Sequence, residues 1–167
     1  MDGAIKIVKM CADDWEEVRA IYLEGIATEH ATFQKEAPSW EEWDLGHNTE
    51  CRIVARSDGG VVGWAALSPV SSRSVYAGVG EVSVYVSQRY NGKGIGSLLL
   101  RSLIEKSEQN GFWTLQSSIF PENEGSIKLH KNHGFRVMGR RERIGKMDEV
   151  WRDTVLLERR SRIVGND

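Results

Sequence analysis

The chain has 167 residues, 22 of them Lys or Arg and 24 Asp or Glu, for a formal net charge of −2. That length is one domain's worth and buries about 70% of the unfolded surface without staples. Charges of both signs spread along the chain exclude a nucleic-acid footprint or a membrane-surface helix and leave small molecules as the expected partners.

Cys11 and Cys51 are the only cysteines, neither in a metal-type spacing, and there is no signal peptide or long apolar span. A reducing cytoplasm is the compartment this usage fits. No repeat, low-complexity run or linker interrupts the chain, so one domain over residues 1–167 is expected, with 160–167 as a flexible polar tail.

Ile5 to Met10 is short and partly alternating, as suits an edge strand. Asp13 offers a cap, with Glu16 as its capping-box partner, ahead of Trp15, Val18, Ile21, Tyr22 and Ile26 at helical spacing. Thr28 to Pro38 reads as a loop containing Phe33, and Ser39-Trp40-Glu41-Glu42 has the capping-box form that opens a second, shorter helix. Trp40 and Trp43 are expected to dock that helix on the core, the alternative being an aromatic substrate wall.

Arg52 to Arg56 and Val61 to Leu67 are β-rich runs on either side of Ser57-Asp58-Gly59-Gly60, a hairpin signal. After a loop from Ser68 to Tyr76, Val82, Val84 and Val86 alternate with Glu81, Ser83 and Tyr85, which makes a strand with two distinct faces. A helix is expected from about Ile95 to Gln109, closed by Asn110-Gly111, then a strand from Trp113 to Ile119. A loop from Pro121 to Gly125 leads to a short helix from Ser126 to Asn132 that ends at Gly134. Phe135 to Arg143 and Val150 to Glu158 complete the chain as strands joined by a turn around Gly145 to Asp148. This order is that of an α/β chain with a mixed sheet and helices on both faces.

Between the central strand and its helix, Gly92, Gly94 and Gly96 fall at every second position. The first N–H groups of a helix have no internal partners and carry the positive end of the macrodipole. Glycines let a pyrophosphate approach that backbone, and Lys93 and Arg89 add positive charge. The other reading is a strand-to-helix connection without a ligand. A Walker loop is excluded because Gly94 follows Gly92-Lys93, and a Rossmann fingerprint because Phe112 to Ile119 offers no acidic residue.

Tyr85-Val86 followed by Asn91-Gly92-Lys93-Gly94-Ile95-Gly96 resembles the acetyl-CoA signature of the GNAT superfamily of N-acetyltransferases, with Asn91 where Gln or Arg is usual. Asn123 to Phe135, with Ser126, Leu129, His130, Gly134 and Phe135 at the matching positions, resembles that superfamily's second signature. The runs Ala31-Thr32-Phe33, Pro38 to Trp43, Arg73 to Tyr76, Glu81 to Val86 and Trp151-Arg152-Asp153 are similar to the pattern of phosphinothricin and methionine sulfoximine acetyltransferases. The resemblance implies the GNAT fold, a mostly antiparallel sheet splayed at the acetyl-CoA site. It also implies acetyl-CoA as co-substrate, a small-molecule amine acceptor and a homodimer.

On that resemblance, backbone groups of Val84, Tyr85 and Val86 bind the pantetheine and thioester, and the turn from Asn91 through Gly92, Lys93, Gly94, Ile95 and Gly96 to Ser97 holds the pyrophosphate. Asn123 and Ser126 contact the pantetheine arm, Asn123 having the alternative role of a turn or capping residue. Glu81 is the candidate base, because burial beside a cleft would raise its pKa from about 4.3 toward the range useful at neutral pH; the alternative is a strand glutamate in an ion pair. His130 stands where a tyrosine often protonates the leaving thiolate, or else packs or binds CoA. Phe33, Arg73 and Tyr76 are candidate acceptor contacts, Arg73 through a bidentate pair with a carboxylate or phosphinate, its alternative being a solvated loop charge. His130 and His133 lack further ligands, so no metal is expected.

Overall fold

Residues 3–167 are described by a computed structural model. In chain order they form β1 (Lys6–Lys9), α1 (Trp15–Ala27), α2 (Trp40–Gly46), β2 (Arg52–Ser57), β3 (Gly60–Pro69), β4 (Val79–Val86), α3 (Ile95–Gln109), β5 (Thr114–Ile119), α4 (Glu124–Asn132), β6 (Arg136–Met147) and β7 (Val150–Arg160). The strands make one seven-stranded sheet in the order β1-β2-β3-β4-β5-β7-β6. Every neighbouring pair is antiparallel except β4 and β5. The mixed, mostly antiparallel sheet is the one expected, with β1 at its edge.

Period-two alternation divides the core between the two faces of the sheet. On β3, Ala65 and Leu67 join Leu99, Leu100, Leu103 and Ile104 of α3, whereas Trp64 and Ala66 join Val18 and Ile21 of α1 and Trp43 of α2. Trp43 is buried as the docking role requires, its ring 5.6 Å from Trp64 and 5.7 Å from Trp15. Beside it the buried Arg52 donates to the Asp44 carboxylate and to the carbonyls of Asp44, His47 and Asn48. A guanidinium with five fixed donors thus satisfies carbonyls that the end of α2 leaves unpaired.

Local chemistry accounts for most boundaries. Asp58 and Gly59 have φ of 51° and 81°, the two positive values a type I′ hairpin needs. Ser39 accepts from the Glu42 amide at 3.2 Å, as its capping-box form implies. Ahead of α1 the cap is Cys11 rather than Asp13: the Cys11 amide donates to Asp14 at 2.9 Å and opens a 3-10 turn over Ala12–Asp14. Asp14 is buried against Arg56, and that contact fixes the helix start, leaving Asp13 in solvent. α4 begins at Glu124 because Asn123 caps it, accepting from the Ser126 amide at 3.2 Å.

The last hairpin turns later than expected. β6 runs through Gly145 to Met147, and the turn is Asp148-Glu149, at φ 46° and 68°. Gly145 stays in the strand, where an added Cβ would meet the Phe33 ring at 2.8 Å. A register shift between Arg141 and Gly145, with φ 47° at Arg143, forms the bulge upstream. β7 extends to Arg160, whose guanidinium donates to the carbonyls of Ser161, Val164 and Gly165 at 2.7–2.8 Å. The segment expected as a loose tail therefore begins inside a strand and folds back on it.

Gly63 of β3 sets how closely α3 approaches the sheet. A Cβ there would lie 2.9 Å from a Leu99 methyl and 3.0 Å from the Tyr85 carbonyl oxygen. Gly63→Ala should therefore overpack the junction and cost about 1–3 kcal/mol, read as a lower urea midpoint at unchanged m-value.

Candidate active site

β4 and β5 pair over Val79↔Thr114, Gly80↔Leu115 and Glu81↔Gln116, and the pairing ends there. β4 continues against β3 to Val86 and β5 against β7 to Ile119, so the two strands diverge. The Ser87 amide donates to the Val62 carbonyl at 2.8 Å. Alternation along an antiparallel ladder then points the amides of Val84 and Val86 into the gap. Their side chains pack toward α3, while Glu81, Ser83 and Tyr85 occupy the other face.

At the open end of the gap lies the glycine turn. Gly92 and Gly94 take φ of 77° and 79°, and no atom lies within 4 Å of a Cβ built on either. They are required by backbone conformation and leave the approach open. Gly94 is the N-cap of α3 and supplies no side-chain cap, so the first amides of the helix remain available to an outside acceptor. Ile95 is buried in the core. Gly96 faces Leu129 of α4, Ser97 bonds His133 Nε2 at 2.8 Å, and the Lys93 ammonium lies 5.2 Å from the Tyr90 ring. The Asn91 amide donates to Gln88 at 3.0 Å, so its side chain belongs to the turn itself.

Where the strands part, a cleft of about 250 Å³ is lined by Phe33, Glu81, Val84, Tyr85, Asn123, Ser126 and His130 among others. Burial raises the Glu81 carboxyl above its ordinary range, the charge of Arg141 partly offsetting this. His130 is buried; its Nδ1 bonds the Ser126 carbonyl at 2.7 Å, and its Nε2 has no partner among the described residues. A carbonyl only accepts, so Nδ1 carries the proton and Nε2 of the neutral ring is an acceptor. Desolvation by burial lowers the His130 pKa and favours that neutral form. Asn123 uses both ends of its amide, accepting from Ser126 and donating to the His30 carbonyl at 3.2 Å.

The acceptor candidates divide. Phe33 lines the cleft, edge-on to Phe120 at 4.8 Å. Arg73 and Tyr76 do not: both are exposed on the loop before β4, the guanidinium 5.6 Å from the Tyr76 ring. Residues absent from the sequence reading complete the lining, including Ser117, Ser118 and Thr154, and Thr32, read only as part of a resemblance run, lines it too. The small polar pair Ser117-Ser118, late in β5 where the strand leaves β4, was the available signal. A second cavity of about 560 Å³ shares Thr32, Ser83 and Tyr85 with the first and continues past Trp43, His47 and Trp64 to Glu36 and Glu42.

Residues 12–135, which contain the gap and the turn, match the acetyltransferase (GNAT) family. The chain belongs to the GNAT family of N-acetyltransferases. Among curated GNAT relatives, phosphinothricin N-acetyltransferase of Streptomyces viridochromogenes is 30% identical, covering 93% of this chain and 87% of its own. The L-methionine sulfoximine/L-methionine sulfone acetyltransferase of Pseudomonas aeruginosa is 28% identical, covering 87% and 88%. A crystal structure of a GNAT superfamily phosphinothricin acetyltransferase from Sinorhizobium meliloti, in complex with acetyl-CoA, superposes with a TM-score of 0.83 at 28% identity over 98% of this chain and 96% of that one. Among the described residues no group of three potential metal ligands occurs, and no helix is long and apolar enough to cross a membrane.

A carbon-detected NMR titration checks the electrostatics of this GNAT cleft. The Glu81 carboxyl should titrate above 4.5, and Arg141→Ala should raise it further by removing the offsetting charge.

Proposed function

We propose that this GNAT enzyme is an acetyl-CoA-dependent N-acetyltransferase in which a small amine attacks the thioester directly. The observation that carries the reading is the parting of β4 and β5 immediately after Glu81, with the uncapped start of α3 at the mouth of the gap. The residues fit the co-substrate. Amides of Val84 and Val86 match the pantetheine and thioester, and the first-turn amides of Ile95, Gly96 and Ser97 match a pyrophosphate. Bound there, acetyl-CoA would supply an activated acyl carbon.

Glu81 takes the proton from the acceptor amine, directly or through one water; burial raises its pKa and so makes the carboxylate a stronger base than an exposed one. Because a base must be ionised, kcat/KM should fall on the acid side of that raised value. His130 donates from Nε2 only as imidazolium, which burial disfavours, so we assign it to accepting a hydrogen bond beside the cleft rather than to protonating the thiolate.

Relatives named for phosphinothricin and methionine sulfone support an acceptor with an amino-acid-like α-amine. With Arg73 and Tyr76 outside the cleft of their own subunit, we assign any carboxylate contact by Arg73 to an assembled homodimer. One observation favours a second reading. The second cavity carries Glu36 and Glu42 and no Lys or Arg among its lining residues, the chemistry suited to a cationic acceptor such as a polyamine. Thiol release from acetyl-CoA, measured against phosphinothricin, methionine sulfone and spermidine, separates the two. Preference for spermidine would overturn the amino-acid assignment.

Two variants test the donor and base assignments. Gly94→Val forces a branched side chain onto φ 79° in the turn, and calorimetry should show weakened acetyl-CoA binding in a folded protein. Glu81→Gln should lower kcat/KM by about 10²–10⁴ at neutral pH, with the deficit shrinking as alkaline pH deprotonates the amine itself. A loss that does not recover with pH would assign Glu81 a structural role.

A further inference from the structure

One side chain on the last hairpin touches both loops that form the outer walls of the cleft. The Arg152 guanidinium donates to the Glu29 carbonyl and to His30 Nδ1 at 2.9 Å in the loop after α1, and to the Glu122 carboxylate at 3.3 Å in the loop after β5. Its carbon centre lies 3.8 Å from the centroid of the Phe120 ring. The side chain is 12% exposed although Glu122 is 54% exposed. These loops carry Ala31, Thr32 and Phe33 on one side of the cleft and Phe120 and Asn123 on the other.

Contacts inside the cleft carry the clamp inward. The Asn123 amide donates to the His30 carbonyl, and Phe120 meets Phe33. The backbone supplies an independent reason. Glu29 has φ 64°, a left-handed conformation that a residue with a Cβ adopts at a cost. Its carbonyl is one of the acceptors of Arg152, so the reversal that starts the Ala31 to Phe33 wall is held from the hairpin. A lysine cannot replace this contact, because a point ammonium lacks the planar fork that serves several acceptors while stacking on a ring.

We propose that Arg152 is a positioning residue for acetyl transfer: it holds residues 29–33 and 120–123 together and thereby sets affinity for the acceptor, leaving acetyl-CoA binding alone. This rests on the cleft being the acetyl-transfer site. The glycine turn and the amides of Val84 and Val86 lie on elements that Arg152 does not bond, and the Asn123 side chain, which the resemblance would place on the pantetheine arm, is engaged here with the Ser126 amide and the His30 carbonyl.

Two readouts on Arg152→Lys test it, with Arg140→Ala as a control that removes an exposed hairpin pair to Asp153 and touches neither loop. In hydrogen exchange of the free protein, amides at 29–34 and 120–124 should exchange about 10-fold faster together, with α3 unchanged. With methionine sulfone as the acceptor probe, its KM should rise about 10-fold while the KM for acetyl-CoA stays within about twofold. Unchanged exchange in either loop, or a parallel rise of both KM values, would overturn the proposal. If the wild type does not acetylate methionine sulfone, the acceptor assignment fails and exchange alone decides the role of Arg152. Should Arg152→Lys not fold, His30→Ala and Glu122→Ala must each loosen the same two segments, and a failure of either to do so overturns it.

Discussion

The site depends on a hydrogen-bond ladder that stops. β4 and β5 share three register pairs, and each then follows its antiparallel neighbour on the far side. Backbone amides inside a sheet are ordinarily spent on the next strand; those of Val84 and Val86 face a gap instead. A buried amide without a partner costs about 1–3 kcal/mol, so the gap favours a ligand rich in carbonyl oxygens. The same divergence sets Glu81 at the apex, half-buried, its pKa raised by that burial, and in the lining of the cleft. Support comes from β3 on one side and β7 on the other, which is why the interruption leaves the sheet continuous.

What the chain discloses along its length is local. The helix from Ile95 to Gln109, the Asp58-Gly59 turn and the Ser39 cap each depend on neighbours a few residues away, and all form as their chemistry dictates. The glycine turn was legible for the same reason. Tertiary contacts moved the rest. Asp13 is the better cap by residue type, yet the burial of Asp14 against Arg56 gives the cap to Cys11, at the head of the 3-10 turn that leads into α1. Gly145 looks like a turn residue, but it is a glycine because Phe33 packs on it, and the reversal falls to Asp148 and Glu149.

The candidate site divides along the same line. At Gly92, Gly94, Val84 and Val86 what could be read is backbone geometry, because positive φ at the glycines and strand alternation on β4 are encoded nearby. Arg73 has the right chemistry, but its distance from the cleft is a property of how the loop before β4 lies on the surface. The role proposed for Arg152 was invisible to spacing, since its partners in the two loops are separated from it by 30 to 123 residues. The tautomer of His130 likewise depends on one carbonyl four residues back, which orients the ring only once α4 has formed.

The two halves of the cleft are made of different material. On the side proposed for the donor the groups on offer are main-chain amides at Val84, Val86 and the start of α3, which are indifferent to most substitutions of the side chains they carry. On the side proposed for the acceptor they are side chains: Phe33, Thr32, Ser83 and Tyr85, with Glu36 and Glu42 beyond. Such a division uncouples inheritance of the donor from inheritance of the acceptor. A lineage can exchange wall residues one at a time and explore new amines, while the machinery that holds the activated acyl group passes unaltered from one descendant to the next.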